Sequence, residues 1–131
     1  MSTQSRLDLL GEMGELVEML PAGFFVQVEE YLRGERKVFE GDFEQEGTEF
    51  QRRVWKVIEK IPYGETLSYA EVAAAVGSPR AMRAVGSACG KNGLPIVVPC
   101  HRVVASNGIG GYAFDIGIKK RLLDLEQRNS Q

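Results

Sequence analysis

The sequence predicts a mainly α (α+β) chain built around a helix-turn-helix, and three observations carry that expectation. Apolar residues recur at helical spacing in several segments of the 131 residues. Two capping boxes, Thr48 with Gln51 and Ser68 with Glu71, mark helix starts. Gly77, Ser78-Pro79 and Gly90 then punctuate a pair of short helices.

In chain order, Ser5 with Asp8 reads as a capping pair, and Leu9, Met13, Leu16, Val17 and Leu20 line one face of a helix that Pro21 stops. Phe24, Phe25, Val28, Tyr31 and Leu32 give a second helix closed near Gly34, and a short strand is expected around Val38 to Phe43. Thr48 caps a third helix, striped by Phe50, Val54, Val57 and Ile58 and ended by Pro62-Tyr63-Gly64. Ser68 caps a helix that Tyr69 opens and Gly77 closes, roughly eight residues long. Ser78-Pro79 should open the next, of roughly eleven residues, running to Gly90. Such a pair is more often a plain αα-corner than a DNA-reading motif.

Composition bounds the class. At 44% hydrophobic the chain can bury one good core and a small added layer, not two full-size domains. No run of ~18 apolar residues occurs, and Asp8, Glu12, Glu15 and Glu18 interrupt the first twenty positions, so neither a membrane span nor a signal peptide is expected and a cytoplasmic place is. There Cys89 and Cys100 should stay reduced, and one histidine with two cysteines makes no zinc set. The net charge of −2 hides a division: residues 1–50 hold 4 Lys/Arg and 12 Asp/Glu, residues 51–131 hold 12 and 6. A basic part beside an acidic one suits a face that meets phosphates.

Pro99-Cys100-His101-Arg102-Val103 holds the chemistry. A thiol is nucleophilic as its thiolate, and an ordinary pKa of ~8.5 leaves it mostly protonated at neutral pH, so a neighbouring base matters. His101 is the only imidazole in the chain. Neighbours in a strand face opposite ways, so the two side chains converge only where the backbone turns, which Pro99 favours, or where a water bridges them. Taken alone, such a pair is more often a small buried thiol beside a hydrogen-bonded histidine.

The surrounding residues shift that balance. Gly47-Thr-Glu-Phe-Gln-Arg-Arg-Val-Trp55, Ile61-Pro-Tyr-Gly-Glu-Thr-Leu-Ser-Tyr69, Arg83-Ala-Val-Gly86 and Gly93-Leu-Pro-Ile-Val-Val-Pro-Cys-His-Arg-Val-Val-Ala-Ser-Asn-Gly108 follow in order, with Gly110-Gly111-Tyr112 after them. In these motifs, from about Val28 to Glu126, the chain resembles the methylated-DNA–protein-cysteine methyltransferases, the DNA alkyltransferases. The resemblance implies a winged-helix-like helix-turn-helix domain over 48–127, a short, reduced N-terminal segment over 1–47 and a tail over 128–131. The family usually carries a longer N-terminal region with a small sheet, so the front layer is a departure.

What the resemblance implies about activity is specific. The protein would flip 6-O-methylguanine, with 4-O-methylthymine a second candidate, out of double-stranded DNA and transfer the alkyl group irreversibly to Cys100. It would act once, as a monomer, with no cofactor, metal or membrane. Cys100 would be nucleophile and acceptor, His101 its base through a water, Glu126 the carboxylate that orients His101, Tyr69 the proton donor to the leaving base, and Asn92 a hinge. Arg83 would fill the space of the extruded nucleotide, since an unsupported gap in the stack collapses, while small Ala84, Gly86 and Ser87 let the helix approach the minor groove. The Val103 carbonyl and the Ala113 amide would read the base beside Tyr112. Phe114 stands where many relatives have glycine and is expected to narrow the pocket against bulky alkyl groups.

Without the motifs the same residues read more plainly. Glu126 would be a solvated helix carboxylate, Tyr69 a half-buried core residue, Asn92 a turn residue, Arg83 a solvated helix arginine and Cys89 structural. Arg80, Lys91, Arg102 and Lys119-Lys120-Arg121 are expected to be solvated or to face phosphates. Three rivals remain: an alkyltransferase-like lesion-binding module, a kind that usually lacks the cysteine; an unrelated thiol hydrolase with a Cys-His-Glu site; and a structural helix-turn-helix regulator.

Overall fold

Helix starts follow the capping residues. Thr48 Oγ1 accepts from Gln51 N at 3.1 Å while Gln51 Oε1 accepts from Thr48 N at 3.0 Å. The same reciprocal pair forms between Ser68 and Glu71, at 2.9 and 3.0 Å. Each box satisfies N–H groups that a helix start leaves without intrahelical partners. The computed structural model, which describes residues 11, 13–112 and 116–130, places the first box at helix Glu49–Glu59 and the second at helix Tyr69–Ala75.

Before them lie α1, Gly14–Glu18, a 3₁₀ turn, Ala22–Phe24, and α2, Phe25–Leu32. The two capped helices are α3 and α4. Met13, Val17 and Leu20 are buried, as their spacing predicts, whereas Ser5, Asp8 and Leu9 lie outside the described residues. Val38 to Phe43 forms no strand, and among the described residues before Thr48 there is none. The Gln27 side chain stands in for one: its Nε2 donates to Glu40 O at 2.7 Å and its Oε1 accepts from Glu40 N at 2.8 Å. A side-chain amide thus takes up the backbone groups that a neighbouring strand would have paired. Phe39 and Phe43 still pack against the core while Val38 is exposed.

The second helix of the predicted pair starts later than Ser78-Pro79. Ala81 N bonds Ser78 O at 2.9 Å in a turn, and α5 runs Met82–Gly90 with no side-chain cap. Proline pre-sets φ for the second position of a turn as well as for the first turn of a helix, and here the turn uses it. Arg83 consequently sits at the second position of α5.

Two strands of two residues, β1 at Leu67–Ser68 and β2 at Val103–Val104, pair in parallel with Leu67 opposite Val103. This ladder brings the start of α4 beside the segment that follows Cys100. The last helix, α6, runs Ile116–Asn129, two residues into the expected tail, and buries Ile118, Leu122 and Leu125 at helical spacing along with Lys119 and Glu126. Trp55 Nε1 donates to Ala88 O at 2.8 Å and ties α3 to α5. Val28, Val54, Ile58, Val72, Val85 and Leu122, none with any exposure, form the core between these helices.

Candidate active site

The backbone before the thiol is bent twice. Val97 N bonds Pro95 O at 2.8 Å around Ile96, which has φ +72°, a conformation that a β-branched residue rarely adopts. Pro99 then closes a second three-residue turn, Cys100 N to Val98 O at 2.8 Å, and Cys100–Arg102 is one turn of 3₁₀ helix. The turn that Pro99 favours is therefore present, and strain sits four residues before the sulfur.

Behind the thiol lies Glu126, 1% exposed and ringed by donors. His101 Nε2 is 2.6 Å from its Oε2, Tyr31 Oη donates to the same oxygen at 2.5 Å, and Arg102 donates Nε to Oε1 at 2.8 Å and Nη2 to Oε2 at 3.0 Å. Gly64, at φ +83°, turns its N–H onto Oε1 at 3.2 Å. Burial works to raise this carboxyl's pKa, but the hydrogen bonds and charges of His101 and Arg102 outweigh it and bring it down to about 2. An ionised carboxylate only accepts, so the shared proton is on His101 Nε2. Complete burial holds His101 below its ordinary pKa despite the pull of Glu126, so the imidazole rests neutral. Its Nδ1 then carries a lone pair, and that atom has no hydrogen-bond partner among the described residues.

Cys100 is 7% exposed, and its sulfur takes a hydrogen bond from Asn92 Nδ2 at 3.2 Å. Its thiol is pushed well above the ordinary value by its hydrogen bond to Cys89 and by burial, with Asn92 and Lys119 acting in the opposite direction. Cys89, the acceptor of that bond, is correspondingly pulled down. At rest Cys100 is thus a thiol, and a base is needed to make it a thiolate. Both cysteines are free and line a cavity of about 340 Å3 with Tyr69, Gly86, Gly111 and Tyr112. The volume falls within the range of small-molecule pockets.

Tyr69 opens α4 as expected, is half-buried, and points its hydroxyl at Gly111 O at 3.4 Å. Burial raises its pKa, so it keeps its proton at neutral pH. Burial likewise pushes Tyr112 above the ordinary tyrosine range. Lys119 donates Nζ to Val103 O and to Gly111 O, both at 2.7 Å. This occupies one lone pair of the Val103 carbonyl. Ala113 and Phe114 lie outside the described residues.

Tyr69, Gly86 and Gly111 also line a neighbouring surface groove of about 690 Å3, together with Ala70, Met82, Arg83 and the 105–107 loop. Arg83, Ala84 and Ser87 are exposed on the same helix, with Gly86 partly so. A family model described as the DNA-binding domain of 6-O-methylguanine DNA methyltransferase matches residues 49–128. The chain belongs to this methyltransferase family. A probable methylated-DNA–protein-cysteine methyltransferase of Acanthamoeba polyphaga mimivirus is 50% identical over 102 residues, 77% of this chain and 68% of that protein. The constitutive one of Bacillus subtilis is 54% identical over 103 residues, 77% of this chain and 62% of its own. Mycobacterium tuberculosis OGT in complex with DNA superposes with a TM-score of 0.80 at 46% identity, over 82% of this chain and 68% of that one. S. pombe Atl1 bound to damaged DNA containing O6-carboxymethylguanine gives 0.53 at 32% identity, over 66% and 80%. The chain spans about two thirds of the length of the curated relatives it matches, from 62% to 68% for these two.

Several family-site expectations meet in space and others are corrected. Glu126, His101, Cys100, Asn92 and Tyr69 converge on one region. Arg102 and Lys119, expected to be solvated or phosphate-facing, are buried at 5% and 0% exposure, because each long side chain finds acceptors inside: Glu126 and Ile61 O for Arg102, two carbonyls for Lys119. Cys89 is partly buried and lines the same cavity as Cys100. Tyr31 and Gln45 were not singled out for the site by sequence, and no local pattern marks them; their partners lie 95 and 47 residues away. Among the described residues no group of three or more His, Cys, Asp or Glu could hold a metal ion, and no helix is long and apolar enough to cross a membrane.

Proposed function

We propose that this protein repairs 6-O-alkylguanine in double-stranded DNA by transferring the alkyl group to Cys100, once per molecule. The observation that carries the reading is His101, held through Nε2 by Glu126 with its Nδ1 unpartnered among the described residues, next in the chain to a buried thiol whose cavity shares Tyr69 and Gly86 with the groove lined by Arg83. The Cys100 proton passes to His101 Nδ1 through one water, and Glu126 stabilises the imidazolium. The sulfur attacks the alkyl carbon, the carbon–oxygen bond breaks with its electron pair left on guanine, and Tyr69 gives the departing base a proton, which the imidazolium's later restores. The product is a thioether, which does not reverse.

Arg83 fills the space of the extruded nucleotide, with Ala84, Gly86 and Ser87 against the minor groove. Val103 O and the Ala113 amide read the base, Tyr112 walls the cavity, and Asn92 links the helical pair to the thiol. Residues 48–127 carry the DNA contact and the chemistry, and 1–47 are a reduced N-terminal segment. A thiol that must stay reduced fits a cytoplasmic setting. Duplex DNA with methylated guanine, mixed with the protein and with Cys100→Ala, tests this by intact and peptide mass: one methyl group on the Cys100 peptide is expected. Tight lesion binding without transfer would favour a lesion-sensing module, and the absence of both binding and transfer would overturn the reading.

A further inference from the structure

Gln45 lies in the connection between α2 and α3, just ahead of the first recognisable motif at Gly47, yet its side-chain amide is used at both ends. Its Oε1 accepts from Gly93 N at 2.7 Å and its Nε2 donates to Asn92 Oδ1 at 2.9 Å. Asn92 is 5% exposed, and its Oδ1 also accepts from Leu94 N at 3.0 Å. With both lone pairs of that oxygen taken, the Asn92 amide has one orientation, and its two Nδ2 hydrogens go to Val98 O at 2.9 Å and Cys100 Sγ at 3.2 Å. The donors therefore run one way, from Gly93 N–H to Gln45, from Gln45 to Asn92, and from Asn92 to sulfur.

We propose that Gln45 is a positioning residue that holds the Asn92 N–H on the Cys100 sulfur and so sets how readily this thiol becomes a nucleophile. An N–H aimed at sulfur favours the thiolate over the thiol, whereas an amide turned the other way would aim its oxygen there and oppose it. Gln45→Glu preserves shape and can still accept from Gly93 N, but it sets a carboxylate oxygen against Asn92 Oδ1, and two acceptors repel. The inference rests on Cys100 being the acceptor of the alkyl group, and the experiment separates the two claims.

The rate of Cys100 carbamidomethylation by iodoacetamide is measured across pH for wild type and Gln45→Glu, with Cys89 counted separately on its own peptide. Single-turnover methyl transfer is measured in parallel, and lesion-DNA affinity is measured with Cys100→Ala. Gln45→Glu should move the iodoacetamide profile to higher pH by about one unit, slow both reactions about tenfold at neutral pH, and leave affinity unchanged. A profile that overlays wild type overturns the proposal. Wild type that alkylates with iodoacetamide but never takes up methyl overturns the repair reading and leaves the Gln45 comparison fully readable. Should Gln45→Glu fail to fold, Gln45→Met removes the donor without adding charge, and its profile is read by the same criterion.

Discussion

At Glu126 one carboxylate answers to a tyrosine, a histidine, an arginine and a backbone amide, so its removal should disturb fold and reaction together. Glu126→Gln leaves the Arg102 guanidinium buried without a counter-charge, and a loss of about 3–5 kcal/mol is expected in urea unfolding. Acid should act on the same group. The carboxyl titrates at about 2 in the folded chain and at ~4.3 when unfolded, so its contribution, on the order of 3 kcal/mol, is complete above the unfolded value and is lost as pH falls from there toward 2. His101 adds to this with the same sign: folding holds it below its ordinary ~6.5, the unfolded chain takes the proton first, and stability starts to decline as pH drops under that value. Urea midpoints measured from pH 7.5 down to 3 should fall throughout, and a flat profile would contradict the assignment. Cys100, His101 and Glu126 were legible as a set because a motif links them. The Arg102 and Tyr31 contacts were not, because what buries a guanidinium or a phenol is an acceptor supplied from far along the chain.

Among the elements, α4 opens with Tyr69, the proton donor of the proposed reaction, so its cap matters beyond stability. Ser68→Ala should cost about 1 kcal/mol and slow methyl transfer by loosening Tyr69, while lesion binding changes less. A second constraint comes from the loop facing that tyrosine. Gly110 has φ +76°, and a Cβ there would lie 3.0 Å from both Ala105 N and the Tyr69 ring. Gly110→Ala is expected to displace Tyr69, read as a lower single-turnover rate in a chain whose circular dichroism is unchanged. The capping boxes made α3 and α4 readable to the residue, since both partners of each box are local. The start of α5 and the absent strand near Val38 were not readable: Pro79 serves two conformations equally well, and a strand needs a neighbour, which here was forestalled by the side chain of Gln27.

For the molecule as a whole, the division of charge predicts how DNA is held. Exposed Arg80, Arg83 and Lys91 cluster on and beside α5, whereas the acidic excess belongs to the first fifty residues. Affinity for undamaged duplex should fall linearly on a log–log plot against salt, and Lys91→Ala should weaken binding to all sequences alike and flatten that slope by about one. An unchanged slope would place the phosphates elsewhere. The ring of donors around Glu126 has a consequence in time as well as in space. It gathers groups 25, 62 and 95 residues apart, and contacts of such range form late and cooperatively. Loss of alkyl transfer in denaturant should therefore coincide with global unfolding instead of preceding it. A nascent or heat-loosened chain carries an ordinary cysteine, and under the proposed mechanism the thiol that can be spent only once is armed only when folding is complete.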